Sequence, residues 1–206
     1  MVKFFETKKA MTAEEYLARE RATLREEGGK HEFFNGKLIE MAGATYNHNR
    51  IAKNAALSLE KQFEQHNTNH EATLLDTKVV SLMQNKNYFY PDIVIVDGNP
   101  IYADDFKDIV ANPQILIEVL SASTELFDRD EKFQSYRNIK YLEEYILISS
   151  DKRRIEQFYK DEAGRWQFGD IVSEGLLKLH TVPFELKIEE VYRKVDFDSD
   201  ALIEKV

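Results

Sequence analysis

Apolar residues fall along this chain in two distinct patterns, and each predicts a different kind of element. Unbroken runs occur three times, as Ile93-Val94-Ile95-Val96, as Ile115-Leu116-Ile117 with Val119-Leu120, and as Tyr145-Ile146-Leu147-Ile148. Strands that do not alternate are buried on both faces, so these three predict the centre of a sheet covered by helices. Helical spacing appears instead in Ile51, Ala55, Leu59 and Phe63, which predicts a helix from about Asn47 to His66. An earlier helix is expected to open at Thr12 and end near Gly28-Gly29, because Thr-Ala-Glu-Glu places Glu15 three residues after a capping hydroxyl. Between these helices, HEFF-NG-KLIEM reads as a hairpin closed by the favoured Asn35-Gly36 turn.

The remaining segments complete an α/β (α+β) pattern. Residues 73–82 read as one further strand. Residues 128–138 read as a helix between two buried strands, which makes a βαβ crossover, normally right-handed. Short alternating stretches at 154–159, 165–168, 176–179 and 184–188 predict an antiparallel C-terminal extension punctuated by Gly164 and Gly175. The expected architecture is therefore a mixed central sheet flanked by two or three helices. With no long linker and no internal repeat, one domain is expected over residues 12–195, between an N-terminal extension (1–11) and a flexible tail (196–206).

Composition narrows the function classes. The absence of cysteine excludes disulfides and thiolate metal sites and fits a reducing compartment, so a soluble cytoplasmic protein is expected. No apolar run approaches the roughly 20 residues that span a bilayer, and the first residues lack the apolar core of a signal peptide. The net charge of −9 makes non-specific nucleic-acid binding weak, since phosphate neutralisation drives that affinity. A nucleic-acid function then requires a local basic patch or bound cations. The tightest basic cluster, Lys152, Arg153 and Arg154 with Lys140 earlier, reads as a solvated turn.

Against that background Glu118 stands out, because it interrupts the otherwise apolar strand ILIEVL. A carboxylate in such a place must be neutralised, paired or bound to metal. Asp92 opens the preceding buried strand directly after Pro91. If the two strands are neighbours, about 4.8 Å apart, their carboxylates can share a divalent ion with Mg–O distances of about 2.1 Å. The alternative is that Glu118 pairs with a buried Lys or Arg while Asp92 caps a turn. Lys132 and Tyr136 lie on one face of the crossover helix, and a helix in that position can aim its first turns over the end of the preceding strand. Lys132 can thereby reach Glu118, or else remain a solvated lysine with Asp128, Asp130 and Glu131 as helix-dipole companions. His48 falls on the inward stripe of its helix, where a satisfied core histidine is the ordinary occupant. Glu32 opens the Asn-Gly hairpin, a place where an exposed glutamate is ordinary. His31, His66, His70 and His180 show no metal-ligand spacing, and no G-x-S-x-G, phosphate-cradling Gly-rich loop or cysteine motif is present.

Read in order, HEFFNGKLIEMAG, NHNRIAKNAALSL, YPDIVIV, ILIEVLSASTELFDRDEKFQSY and EEYILIS resemble the Uma2 family of restriction-endonuclease-like proteins over roughly residues 12–193. The most specific piece is IEVLSASTELFDRDEKFQSY. The resemblance implies a PD-(D/E)XK nuclease core dependent on Mg²⁺ or Mn²⁺, with Asp92 and Glu118 as catalytic carboxylates and metal ligands. The lysine of that motif would fall at position 120, which is Leu here, so its role is expected of Lys132. Glu32 matches the family's early acidic residue and His48 its early helix histidine. The implied function is an endonuclease hydrolysing phosphodiester bonds in DNA, and a homodimer is compatible with engaging a duplex. Two rivals stand beside it. One is a non-catalytic binding or assembly module on a nuclease fold; the other is an enzyme for a different phosphate ester.

Overall fold

The structure is a computed structural model that describes residues 4–5, 10–25, 30–41, 43–74, 76–82, 85–122 and 124–197. Most of the expected N-terminal extension, the helix end at Gly28-Gly29 and tail residues 198–206 lie outside the described residues.

Helix α1 (Ala13–Arg25) starts as its capping box predicts: the Thr12 amide donates to Glu15 Oε2 at 2.8 Å, and the Glu15 amide donates to Thr12 Oγ1 at 3.2 Å. Helix α2 (Tyr46–Gln65) is capped by Thr45, whose hydroxyl accepts from the His48 amide, and it buries Ile51, Ala55, Leu59 and Phe63. Strands β1 (Phe4–Phe5), β2 (His31–Phe34) and β3 (Lys37–Glu40) lead the chain, and Asn35 and Gly36 take the positive φ angles that the hairpin turn requires. Next come β4 (His70–Leu74), β5 (Lys78–Ser81), β6 (Asn87–Phe89), β7 (Ile93–Asp97), β8 (Ile109–Val110) and β9 (Ile115–Leu120). The last five are β10 (Glu144–Ser149), β11 (Ile155–Lys160), β12 (Trp166–Val172), β13 (Leu176–Lys178) and β14 (Glu185–Lys187).

These strands build two six-stranded sheets, not one. The first has the order β1-β3-β2-β6-β5-β8; the second, β12-β11-β10-β9-β7-β4; β13 and β14 pair separately. The three apolar runs are adjacent in the second sheet, with β9 and β10 parallel as the crossover requires. The strand expected over residues 73–82 is in fact two. Its first half pairs with β7 and its second with β6 and β8, so the polar Asp76-Thr77 step carries the chain from one sheet to the other.

Alternation along the strands sorts the core into layers. Ile93, Ile95, Ile115 and Ile117 face α2. Val94, Val96, Leu116 and Leu120 face the crossover helix and the first sheet, meeting Phe127, Tyr136, Phe34 and Phe89. On the outer side of the first sheet, Tyr16 of α1 covers Phe33, Leu38 and Tyr88. The crossover helix runs from Glu125 to Tyr136 and contains a five-residue π-helical turn, Asp128–Lys132. Such turns recur at functional sites because they redirect side chains within a helix.

Candidate active site

Strand parity and register bring the two acidic residues together. Strand β7 runs antiparallel to β9 with Ile93 opposite Ile117, so Asp92 stands opposite Glu118. Both share the parity of Val94 and Leu116 and belong to the face toward the crossover helix. Both line a cavity of about 610 Å³, with Glu32, His48, Asp128 and Lys132 also in its wall.

Lys132 is the hub. Its ammonium lies 2.9 Å from Glu118 Oε1, 2.9 Å from Glu32 Oε1 and 3.4 Å from Asp128 Oδ1. At 4% exposure it is not the solvated lysine that was the alternative for this position. The π-helical turn presents Asp128 and Lys132 to the cavity together. Glu32 arrives from the first sheet, is buried, and accepts from the Tyr90 amide at 3.0 Å. Tyr136, one helical step beyond Lys132, donates to Glu118 Oε1 at 2.7 Å. Asp92 accepts from the Val119 amide at 2.7 Å and lies 3.2 Å from His48 Nε2. The pairing of Glu118 with a buried lysine, set out as the alternative to metal binding, is thus present, and its partner is Lys132 itself.

The charges do not balance. Burial raises the Glu118 carboxyl well above the usual carboxylate range; Lys132 offsets part of this, and Asp128, Asp92 and Glu32 raise it further. Burial likewise raises Glu32 and Asp128. For Lys132, burial works against the charged form, but the three carboxylates outweigh it and hold the ammonium protonated. Burial also opposes protonation of His48, and the hydrogen bond and charge of Asp92 reverse this, so its pKa lies above the ordinary histidine value.

Carboxylate oxygens are the donor type that hard divalent cations take. Glu32, Glu118 and Asp128 lie within 3.4 Å of the Lys132 ammonium, and Asp92 adjoins His48 in the same wall. Among the described residues, the contacts of Glu118 all use Oε1 and those of Asp92 all use Oδ2. Mg²⁺ is commonly held by one or two carboxylates, with water and phosphate oxygens completing the shell. Among the described residues no group of three or more His, Cys, Asp or Glu side chains is placed so that it could hold a metal ion. The protein's share of such a shell would therefore be Asp92 and Glu118, not a cage.

All five residues singled out from the sequence thus line one cavity. Asp128, expected from the sequence as a helix-dipole companion, instead joins the cluster, and its spacing of four from Lys132 is the signal in the sequence. Tyr90 carried no sequence signal, since its amide is placed by the strand pairing of the first sheet. The basic cluster lies elsewhere, with Arg154 paired to Glu156, and Leu120 is core. No helix among the described residues is long and apolar enough to cross a membrane.

Known proteins share this arrangement of sequence and fold. The chain is 35% identical over 168 residues, 82% of its length, to a Synechocystis protein named "Uncharacterized protein sll1609", of which it covers 91%. It is 28% identical over 189 residues to a second from the same organism, "Uncharacterized protein slr1290", covering 91% of this chain and 94% of that one. Among solved structures it resembles a "putative nuclease belonging to DUF820" from Anabaena variabilis. The TM-score is 0.68 at 15% identity, over 88% of this chain and 97% of the other, a likeness of fold alone. The mixed sheets flanked by helices are consistent with a restriction-endonuclease-like fold. Residues 13–189 match the profile of the Uma2 family, described as "Putative restriction endonuclease", and the chain belongs to that family.

Proposed function

We propose that this protein is a divalent-metal-dependent endonuclease that hydrolyses phosphodiester bonds in DNA. The observation that carries the reading is one cavity in which Glu118, Glu32 and Asp128 share the Lys132 ammonium and Asp92 adjoins His48, with Asp92 and Glu118, from adjacent strands, each tied down through a single oxygen. Among the described residues, Lys132 and His48 are the basic groups in contact with these four carboxyl groups, and a bound cation would favour the ionised forms that burial disfavours. Mg²⁺ or Mn²⁺ held by Asp92 and Glu118 would supply an activated water and neutralise charge developing on the phosphate. Lys132 contributes a fixed positive charge, held by Glu32, Glu118 and Asp128, beside which a phosphate oxygen or attacking water can settle. His48 lines the same cavity with its Nε2 3.2 Å from Asp92, and an imidazole there can carry a proton. Tyr136 and the Val119 amide hold the two carboxylates in position.

The test incubates wild type and Asp92→Asn with single-stranded DNA, duplex DNA and RNA at low salt. Wild type is expected to cleave DNA with Mn²⁺ or Mg²⁺ better than with Ca²⁺, which prefers looser shells of higher coordination. Asp92→Asn is expected to lose both turnover and ion binding. If wild type cleaves none of the three polymers with any of these ions, the reading gives way to a non-catalytic binding module on a nuclease fold.

A further inference from the structure

A second cavity, of about 350 Å³, opens beside the Asp76-Thr77 step that carries the chain between the sheets. Ligand sites span about 300–1,000 Å³, so the space is large enough for a small molecule or a part of a larger one. Val96 of β7 and Val110 of β8 give it a buried apolar floor, one residue from each sheet. Tyr102, 40% exposed, adds an aromatic wall. Two of its charged groups are already engaged. Asp108 uses both carboxylate oxygens, on Arg21 and Lys78, and Asp76 pairs with Lys30. Glu71 and Lys107 are exposed at the rim, and neither side chain has an ion pair among the described residues. The cavity thus offers an apolar floor, one ring, one available acceptor and one available donor. A flat heterocycle with polar groups on its edge suits that combination. A phosphate does not, with Glu71, Asp76 and Asp108 all in the wall.

This cavity shares a partition with the candidate active site. The Lys78 ammonium lies 3.3 Å from Tyr90 Oη, in the wall of the first cavity, and 2.8 Å from Asp108 Oδ2, in the wall of the second. The pair of Lys30 and Asp76 joins the two walls in the same way. Adjoining parts of one nucleic-acid strand can therefore occupy both. The acceptor at the rim also discriminates between bases. A carboxylate accepts from the exocyclic amino group of cytosine, whereas a pyrimidine with O4 in that place presents a second acceptor.

We infer that the second cavity is a nucleobase subsite, which takes an unpaired base against Tyr102 with an exocyclic amino group toward Glu71. The inference rests on the nuclease reading for the class of substrate, and a base must leave its duplex to enter such a pocket. Nucleosides test it, because they bring a base without a phosphate and need neither metal nor cleavage. Cytidine and uridine are titrated into the isotope-labelled full chain, and backbone amide shifts are followed by NMR. Cytidine should move the amides of Thr77, Tyr102 and Val110, and should bind at least about tenfold tighter than uridine. Tyr102→Ala should weaken cytidine by between about fivefold and about 150-fold, the worth of stacking on one aromatic, while Tyr102→Phe keeps it. Glu71→Gln, at an exposed position, should remove the preference over uridine. Asp92→Asn, in the first cavity, should leave nucleoside binding unchanged. Binding of neither nucleoside, equal binding of both, shifts confined to the first cavity, or an unchanged affinity in Tyr102→Ala overturns the inference and leaves the nuclease reading to its own cleavage assay. Cytidine binding at the second cavity of a protein that cleaves no polymer upholds the base site and overturns the nuclease reading alone.

Discussion

Two ion groups share the crossover helix. On the cavity side, Asp128, Glu32 and Glu118 share the Lys132 ammonium and Asp92 adjoins His48, so four carboxyl groups meet two basic ones. On the other side, Arg129 of the same π-helical turn grips Glu156 of β11 through two contacts of 2.6 Å and reaches back to Glu125 at 2.9 Å, while Arg154 adds a bond of 2.7 Å to Glu156. That group balances, with two guanidinium groups against two carboxylates. Glu118 and Glu156 are both buried, yet their pKa values move in opposite directions. Burial raises each, but for Glu156 the two arginines more than reverse it, and for Glu118 one shared lysine does not. The difference shows that burial of a carboxylate does not by itself mark a site. The balanced group locks the helix against β11; under the proposed function, the other would give up stability for a place where a cation can bind.

The strongest challenge to this contrast is Lys132→Ala. It leaves three buried carboxylates without their common cation, which should cost about 3–5 kcal/mol of stability. Urea denaturation reads the change, and a loss below about 1 kcal/mol would mean that the cluster is not held by charge. Turnover should vanish as well in whatever fraction stays folded.

Glu156→Ala should cost less, about 1.5–3 kcal/mol, the usual worth of hydrogen bonds to charged groups. Arg129 is partly exposed and can be rehydrated. A rise in melting temperature on adding Mn²⁺ should survive in this variant, because the clamp holds no ligand.

Glu118→Gln should behave oppositely. Without metal its stability should match or exceed that of wild type, since a neutral amide replaces a carboxyl whose charged form burial and three neighbouring carboxylates disfavour. The rise in melting temperature with Mn²⁺ should disappear, because that rise follows from ion binding to the native state. A large loss of stability in the metal-free variant would instead make the Glu118–Lys132 pair a purely structural one.

The smallest effect concerns acid. A third ion group joins Arg21 and Lys78 to Asp108. Burial raises the Asp108 carboxyl, but the hydrogen bonds from Arg21 and Lys78 outweigh it and bring its pKa down to about 2. A depressed carboxylate contributes stability above its unfolded value and loses it as pH falls. The contribution of Asp108 should therefore be intact above about pH 4 and fade toward pH 2. Comparing the acid unfolding of wild type with that of Asp108→Asn checks it: the variant should lack this part of the decline.

What the sequence could determine was whatever depends on short range. The Thr12–Glu15 cap, the Asn35-Gly36 turn and the stripe from Ile51 to Phe63 each arise from residues within a turn or two of one another, and each element forms where expected. Glu118 was legible for a related reason: a carboxylate within ILIEVL is costly whatever surrounds it. Register then did the rest for Asp92, because the two apolar strands are immediate neighbours. The tertiary structure decided what depends on partners distant in the chain. It split residues 73–82 between two sheets, since each half found its hydrogen bonds on a different side. It buried Glu32 by bringing the first sheet over the second, which no pattern in HEFF announces. It also made Lys132 a buried hub, because the ammonium is drawn to carboxylates that only packing assembles, and a lysine at that spacing would otherwise stay in water.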